Sequence, residues 1–324
     1  MKKWLYNPVM VSELKIKMRG WRTAAAVTVY LGIMLLISYL FFNLTFDNTY
    51  GYGNTFDVNN SIGLQIYTTL AILQFALIVL ITPAQTAGSI SGEREKQTLD
   101  LLLCTKMSPT GIVMGKLISS MSFIFLLIIS SIPIFSLALL FGGVTPGDIV
   151  VLFAFYMITA FAIGSIGMFC SVLFKKTVTS TVISYLTIFV LGILTAIIGA
   201  TMLQSYYYNS SSVSGMTLDS YTPFVFYLNP VTGLADILAR QSGSGGNLGV
   251  AGVLSMMFGM GYYGTSNPNT GGMINGWSWS QWSLWIRNAV IMLSAAGTLL
   301  TISAWKIKPV RRGFRKKHLA NISK

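Results

Sequence analysis

Residues 91–103 read SGEREKQTLDLLL, a charged segment set between two long apolar runs. It holds Glu93, Glu95 and Asp100, three of the nine acidic residues in a chain of 324, together with Arg94 and Lys96. A charge at the centre of a bilayer costs about 2.5–3.5 kcal/mol even on the scale that gives the smallest penalty. The segment therefore belongs in water at a membrane edge, within reach of another protein.

The flanking sequence supplies the membrane. A chain that is 53% hydrophobic and 10% charged, with a mean hydropathy of +0.65, has too little polar surface for a soluble globule of this size. Uncharged runs recur at 23–46, 58–92, 117–147, 149–174, 177–218 and 288–305. Each is near or above the roughly 20 residues that cross a hydrocarbon core as helix, and none shows the short alternating pattern of a barrel. The expected fold is an all-α integral membrane protein: one transmembrane domain over 1–324, with six spans at about 22–46, 62–90, 110–141, 149–174, 178–203 and 284–306.

Six spans put both termini on one side, together with the loops at 89–116 and 175–176. Twenty of the 22 basic residues then fall on that side, leaving only Arg240 and Arg287 for the other. The excess of lysine and arginine makes the crowded face cytoplasmic and accounts for the net charge of +13. The basic tail at 307–324 admits a nucleic-acid reading. Anionic membrane lipids are the nearer partner, so no nucleic acid is expected.

Local signals subdivide the cytoplasmic side. Asn7-Pro8 has the residue types of a helix cap and first position, and Met10, Leu14, Met18 and Trp21 follow at helical spacing while Lys15, Lys17 and Arg19 point elsewhere. This predicts an amphipathic helix over 8–20 lying in the membrane interface; a plain basic flank to the first span is the alternative. Ser108-Pro109 repeats the pattern, so 92–106 reads as a separate short helix. Within it Leu99, Leu102 and Leu103 share one side, and Glu93, Lys96 and Asp100 another. Gly164 and Gly167 in the fourth span and Gly192 in the fifth would let helices approach closely, and Pro83 in the second frees a carbonyl that needs another partner.

The outer connection, 204–283, contains two moderately apolar stretches, 221–241 and 250–263, too short and too interrupted by Gly or Pro to span. They are expected to be re-entrant or interfacial helices. Trp277, Trp279, Trp282 and Trp285 form an aromatic belt before the last span. Two extra spans would place Asp219, Asp236 and Arg240 less well against the charge rule.

Several chemistries are missing. The sole histidine, His318, lies in the basic tail, so no His-based nucleophile or metal site is expected. No G-x-x-x-x-G-K-[ST] sequence is present to cradle ATP phosphates. Cys104 and Cys170 do not make a disulfide framework. No ionisable residue falls within the apolar runs, which argues against ion-coupled transport and against intramembrane catalysis. If the chain moves a cargo, the energy comes from elsewhere.

The chain resembles the permease subunits of ABC transporters of the type-2 exporter class. The resemblance rests on Asn7-Pro8-Val9 with Glu13-Leu14-Lys15 and Met18-Arg19, on Gly92-Glu93-Arg94-Glu95 with Thr98 and Leu101-Leu102-Leu103, and on Ser108-Pro109 with Gly115-Lys116. It covers roughly the first 200 residues, and the long outer loop departs from compact members. It implies that 92–106 is a coupling helix docking on ABC-type ATP-binding subunits, with Glu93, Arg94, Glu95 and Lys96 in contact and Thr98 and Asp100 stabilising the turn. It further implies a second cytoplasmic contact at Lys175, Lys176 and Thr177. The segment with Asn7, Pro8, Glu13, Lys17 and Arg19 would be an elbow helix, and 221–241 an outer gate. ATP and magnesium would sit on the partner subunits, with no cofactor bound by this chain, and a second permease, same or different, would complete the path. A membrane scaffold or sensor that binds a cytoplasmic signalling protein is the alternative, separated from the first by whether an ABC-type ATPase copurifies.

Overall fold

The computed structural model describes residues 20–49, 55–98, 109–209, 224–241 and 283–307. The described residues form ten helices and no strand: α1 Trp21–Thr49, α2 Thr55–Thr86, α3 Ser91–Glu95, α4 Pro109–Ser130, α5 Ile132–Phe141, α6 Pro146–Leu173, α7 Thr177–Asn209, α8 Phe224–Leu228, α9 Pro230–Gln241 and α10 Leu284–Ile307. Six segments among them are long and apolar enough to cross a membrane: α1, α2 continuing into α3 (Gly63–Glu95), α4 with α5, α6, α7 and α10. The elbow helix expected at 8–20, residues 99–106, most of the outer loop and the tail after Ile307 lie outside the described residues.

Helix α6 is the axis of the bundle, packing against α2, α4, α7, α9 and α10. It can do so because its buried face carries small residues. Gly164 abuts Met121 of α4, and a Cβ at Gly167 would stand 2.1 Å from Thr86 Oγ1 of α2. Gly192 differs: nothing lies within 4 Å of a Cβ built there, so the close approach expected of it is not made. Of the apolar window of α6, 56% is buried, against 11% for α1 and for α7. Those two flank the bundle and present apolar faces outward, as lipid requires.

Aromatic and polar contacts fix the packing at mid-bundle. Tyr67, Phe135, Phe153 and Tyr156 form an edge-to-face chain with centroid spacings of 6.1, 5.1 and 5.9 Å. The Tyr156 hydroxyl donates to the Ala71 carbonyl at 2.7 Å, and the Tyr30 hydroxyl of α1 donates to Gln74 Oε1 of α2.

Proline decides two irregularities. Pro83 lies inside α2, and the helix continues past it. The Tyr185 hydroxyl of α7 donates to the Leu80 carbonyl in the turn before it, supplying an outside donor where the proline weakens the ladder. The third span, expected as one helix over 110–141, is two: α4 ends at Ser130 and α5 restarts with Pro133 in its first turn. At the opposite turn, Gly142 and Gly143 take φ of 87° and 82°, left-handed values that other residues rarely adopt. Thr145 and Asp148 then form a capping box that starts α6.

The expectation that no ionisable side chain lies on a spanning helix is corrected. α4 and α10 extend past the apolar runs and carry Lys116 and Arg287, which are 4% and 5% exposed. Helices begin where their caps and packing allow, and this adds a polar turn at each membrane edge.

Candidate functional site

The charged segment is built as a hinge piece on top of α2. Helix α3 contains only Ser91–Glu95. It stops because Gln97 adopts φ 58°, the Gln97 N–H bonds the Arg94 carbonyl at 3.2 Å, and the Thr98 N–H bonds the Glu93 carbonyl at 2.9 Å. This pair of bonds is a Schellman cap, with glutamine in the position usually held by glycine. A single helix running unbroken over 92–106 is therefore not what the chain forms; residue 97 ends the helical path.

Almost every polar group of α3 is used inside the chain. Its first amides, Ile90 N–H and Ser91 N–H, donate to Ser171 Oγ of α6 at 2.8 and 2.9 Å. Glu93 makes an ion pair with Lys116 of α4. Arg94 Nη1 donates to the Val172 carbonyl at 3.2 Å. Glu95 accepts from the Thr177 N–H at 3.0 Å and from the Thr177 hydroxyl, so a carboxylate 82 positions away caps the start of α7. These bonds, the Thr177 hydroxyl foremost, hold the fully solvated Glu95 carboxyl below its ordinary range, with nearby Lys176 adding to the effect.

The residues predicted to contact a partner thus divide. Glu93, Arg94, Glu95 and Thr177 are joined to each other's elements, and Thr98 donates its hydroxyl back to the Glu93 carbonyl at 3.3 Å. Lys96, Lys175 and Lys176 are exposed. Asp100, and Asn7, Pro8, Glu13, Lys17 and Arg19, lie outside the described residues. Sequence reasoning did not single out Ser171 or the Val172 carbonyl, because nothing in the local pattern marks a serine in an apolar helix as the cap of a distant one. The arrangement consists of an ion pair and a set of capping bonds. It is a mechanical joint binding α3 to α4, α6 and α7.

The far end of the bundle holds a second polar cluster. Helices α8 and α9 pack against α10, and α9 also reaches α6, where a Cβ on Gly233 would stand 2.6 Å from Phe155. The two hydrogens of the Asn288 amide are shared among the carbonyls of Phe226, Tyr227 and Asn229 and the Thr232 hydroxyl, at 2.9–3.3 Å. Asn229 accepts from the Val231 N–H at 3.0 Å and donates to Thr195 of α7. Asp236 accepts from the Trp285 N–H at 3.0 Å, capping α10, and Arg287 lies 5.5 Å from the centre of the Tyr227 ring. Asn229-Pro230 carries the same cap signal as Asn7-Pro8, which is how the sequence could have marked the start of α9.

The family model of the ABC-2 family transporter proteins matches residues 42–305, which takes in both polar clusters and the candidate spans after the first. The chain belongs to the ABC-2 transporter family. A search of curated proteins finds no match. This ABC-2 protein is accordingly a type-2 ABC permease: the multi-pass membrane subunit of an ABC transporter, without an ATPase site of its own. Among the described residues no His, Cys, Asp and Glu cluster could hold a metal ion.

Proposed function

We propose that this ABC-2 permease pairs with a second permease, of the same or a different chain, and exports its cargo with energy from two ABC-type ATP-binding subunits that push on residues 91–98. ATP and magnesium are held by those subunits. The observation carrying the reading is that this charged segment, exposed from Glu95 to Thr98, is bonded at once to α4, α6 and α7, through Lys116, Ser171 with Val172, and Thr177. A force applied to it is delivered to three spanning helices together, which is what a coupled conformational change needs.

The distribution of lysine and arginine supports placing this end, both termini, the elbow at 8–20 and the tail at 307–324 on the cytoplasmic side, and the family supports a bacterial plasma membrane. Helices α8 and α9, buried against α6 and α10, then form an outer gate. The uncharged, aromatic and Met-rich helices suit a lipid-like or hydrophobic peptide cargo.

The test is to purify the chain with its ATP-binding subunit and to attach a bulky thiol label at Lys96→Cys or, as a control, at Leu186→Cys on the outward apolar face of α7. Label at position 96 is expected to remove permease-dependent ATP hydrolysis and association, while label at 186 leaves the association intact. An ATPase complex indifferent to the label at 96 would remove this segment from the coupling path.

A further inference from the structure

Helix α10 carries a cation near each end, and the two sit in opposite surroundings. Lys306, in the last turn, is exposed, as a charged side chain at a membrane edge usually is. Arg287, the fourth residue of the helix, is buried with 5% of its surface exposed. Among the described residues no carboxylate pairs with it, and none of its side-chain nitrogens donates a hydrogen bond. Its Nε is fully buried without an acceptor, and the guanidinium lies over the Tyr227 ring, which attracts a cation but accepts no bond from Nε. Asp236, in the same cluster, accepts from the Trp285 N–H. α9 carries Arg240 four positions after Asp236, so α9 and the first four residues of α10 hold two cations to one carboxylate. Residues 242–283, which lead into α10, contain no Asp or Glu to redress the balance.

We propose that Arg287 anchors the phosphate of an anionic membrane lipid at the far end of the bundle, with an acyl chain along the outward strip of α10 formed by Val290, Leu293 and Gly297. A guanidinium is the side chain whose fork of donors matches phosphate oxygens, and a cation already stripped of water gains most from an anion brought to it. An ionisable group held inside a membrane bundle is expensive, and a ligand of opposite charge repays that cost. The strip begins one turn after Arg287, its residues are exposed, and nothing lies within 4 Å of a Cβ built on Gly297, which leaves room for a chain. Trp285, two positions before Arg287 and partly buried, marks the depth of the headgroups. Free phosphate has the same charge chemistry, and the apolar strip beside the cation favours the lipid. The site does not depend on whether the opposite end meets an ATP-binding subunit.

The experiment takes the full-length chain in a maltoside detergent, which contains no phosphate, and counts bound phosphatidylglycerol by native mass spectrometry over a titration. Diacylglycerol with the same chains is the uncharged comparison, and inorganic phosphate is added as a competitor. The variants are Arg287→Gln and Arg287→Lys. Basic residues at the α3 end also attract anionic lipid, so the readout is the difference between chains that share that end. The wild type is expected to hold one more phosphatidylglycerol than Arg287→Gln, with affinity at this site reduced about tenfold in the Gln variant and less in the Lys variant, which keeps the charge and loses the fork. Diacylglycerol should bind all three alike. A role in packing alone would shift the unfolding midpoint of the lipid-free protein without changing the preference for phosphatidylglycerol over diacylglycerol. Should Arg287→Gln fail to fold, that preference in Arg287→Lys, expected below the wild type's, decides. Equal preference in wild type and variants would overturn the proposal. Displacement of the lipid by inorganic phosphate at equal concentration would make the free anion the ligand and overturn the lipid assignment.

Discussion

The two ends of the bundle solve the same problem with different chemistry. At the charged end, a short segment is fixed to three helices through an ion pair, a charge-assisted bond to a carbonyl and a carboxylate cap. At the far end, α8 and α9 are fixed through a neutral amide, Asn288, which gathers three carbonyls and a hydroxyl in a fully buried setting. Depth explains the difference. A neutral amide can be buried beside apolar helices at modest cost, whereas carboxylates and ammonium groups need water or each other. The Asn288 contacts should therefore be sensitive to packing and indifferent to pH, although Asp236 and Arg287 lie in the same cluster, whereas the contacts of α3 depend on carboxylates.

The strongest attack on that contrast is Asn288→Leu. It takes the amide donor from the carbonyls of Phe226, Tyr227 and Asn229, of which the first and last keep Thr232 as a donor, and at ~1–3 kcal/mol for an unsatisfied buried group the expected loss is about 1–3 kcal/mol. A clear fall in the thermal unfolding midpoint, equal at pH 5 and pH 8, is the predicted result; an unchanged midpoint would show that α8 and α9 are held by apolar contact alone.

Lys116→Met comes next. The change leaves Glu93 beside a buried methionine without its cation, and because the Glu93 side chain keeps 24% of its exposure the cost falls to roughly 1–2 kcal/mol, well short of a fully buried pair. Adding Glu93→Gln should recover most of the loss in the same melting assay. Failure of the second change to recover it would mean that Lys116 acts through other contacts.

The smallest effect concerns Glu95. Its folded-state carboxyl titrates below the ordinary carboxylate range, so the cap is fully present above that range and is lost as pH falls through the depressed value. The protection factor of the amides at the start of α7, taken relative to intrinsic exchange at each pH, should fall on acidification in the wild type. Glu95→Gln should show faster exchange already at neutral pH and little further change. PH-independent protection in the wild type would detach the α3 segment from α7.

Much of this fold was legible because membrane insertion is decided at the level of whole segments. The charge at 91–96, the uncharged runs around it and the lopsided lysines and arginines are properties of composition, and six segments long and apolar enough to cross a membrane are what the helices supply. The helix ends were less legible. The expected spans at 110–141 and 284–306 already included Lys116 and Arg287, but the uncharged runs were drawn to begin after them, so their burial on spanning helices was not anticipated. The site was legible only as a cluster. Glu93, Arg94 and Glu95 carry the same charges whether they face a partner or fold back, and nothing local distinguishes the two.

The sequence by itself determined that this protein is helical, that six segments can cross a membrane and that the 91–98 segment does not belong in hydrocarbon, because charge facing lipid is costly whatever the packing. Only the tertiary structure decided which charges are left to face outward. The partners of Glu93, Arg94 and Glu95 sit on α4, α6 and α7, and only the close crossing of α6 with α2, permitted by Gly167, brings those helices within bonding distance of the segment where the sequence shows its charge.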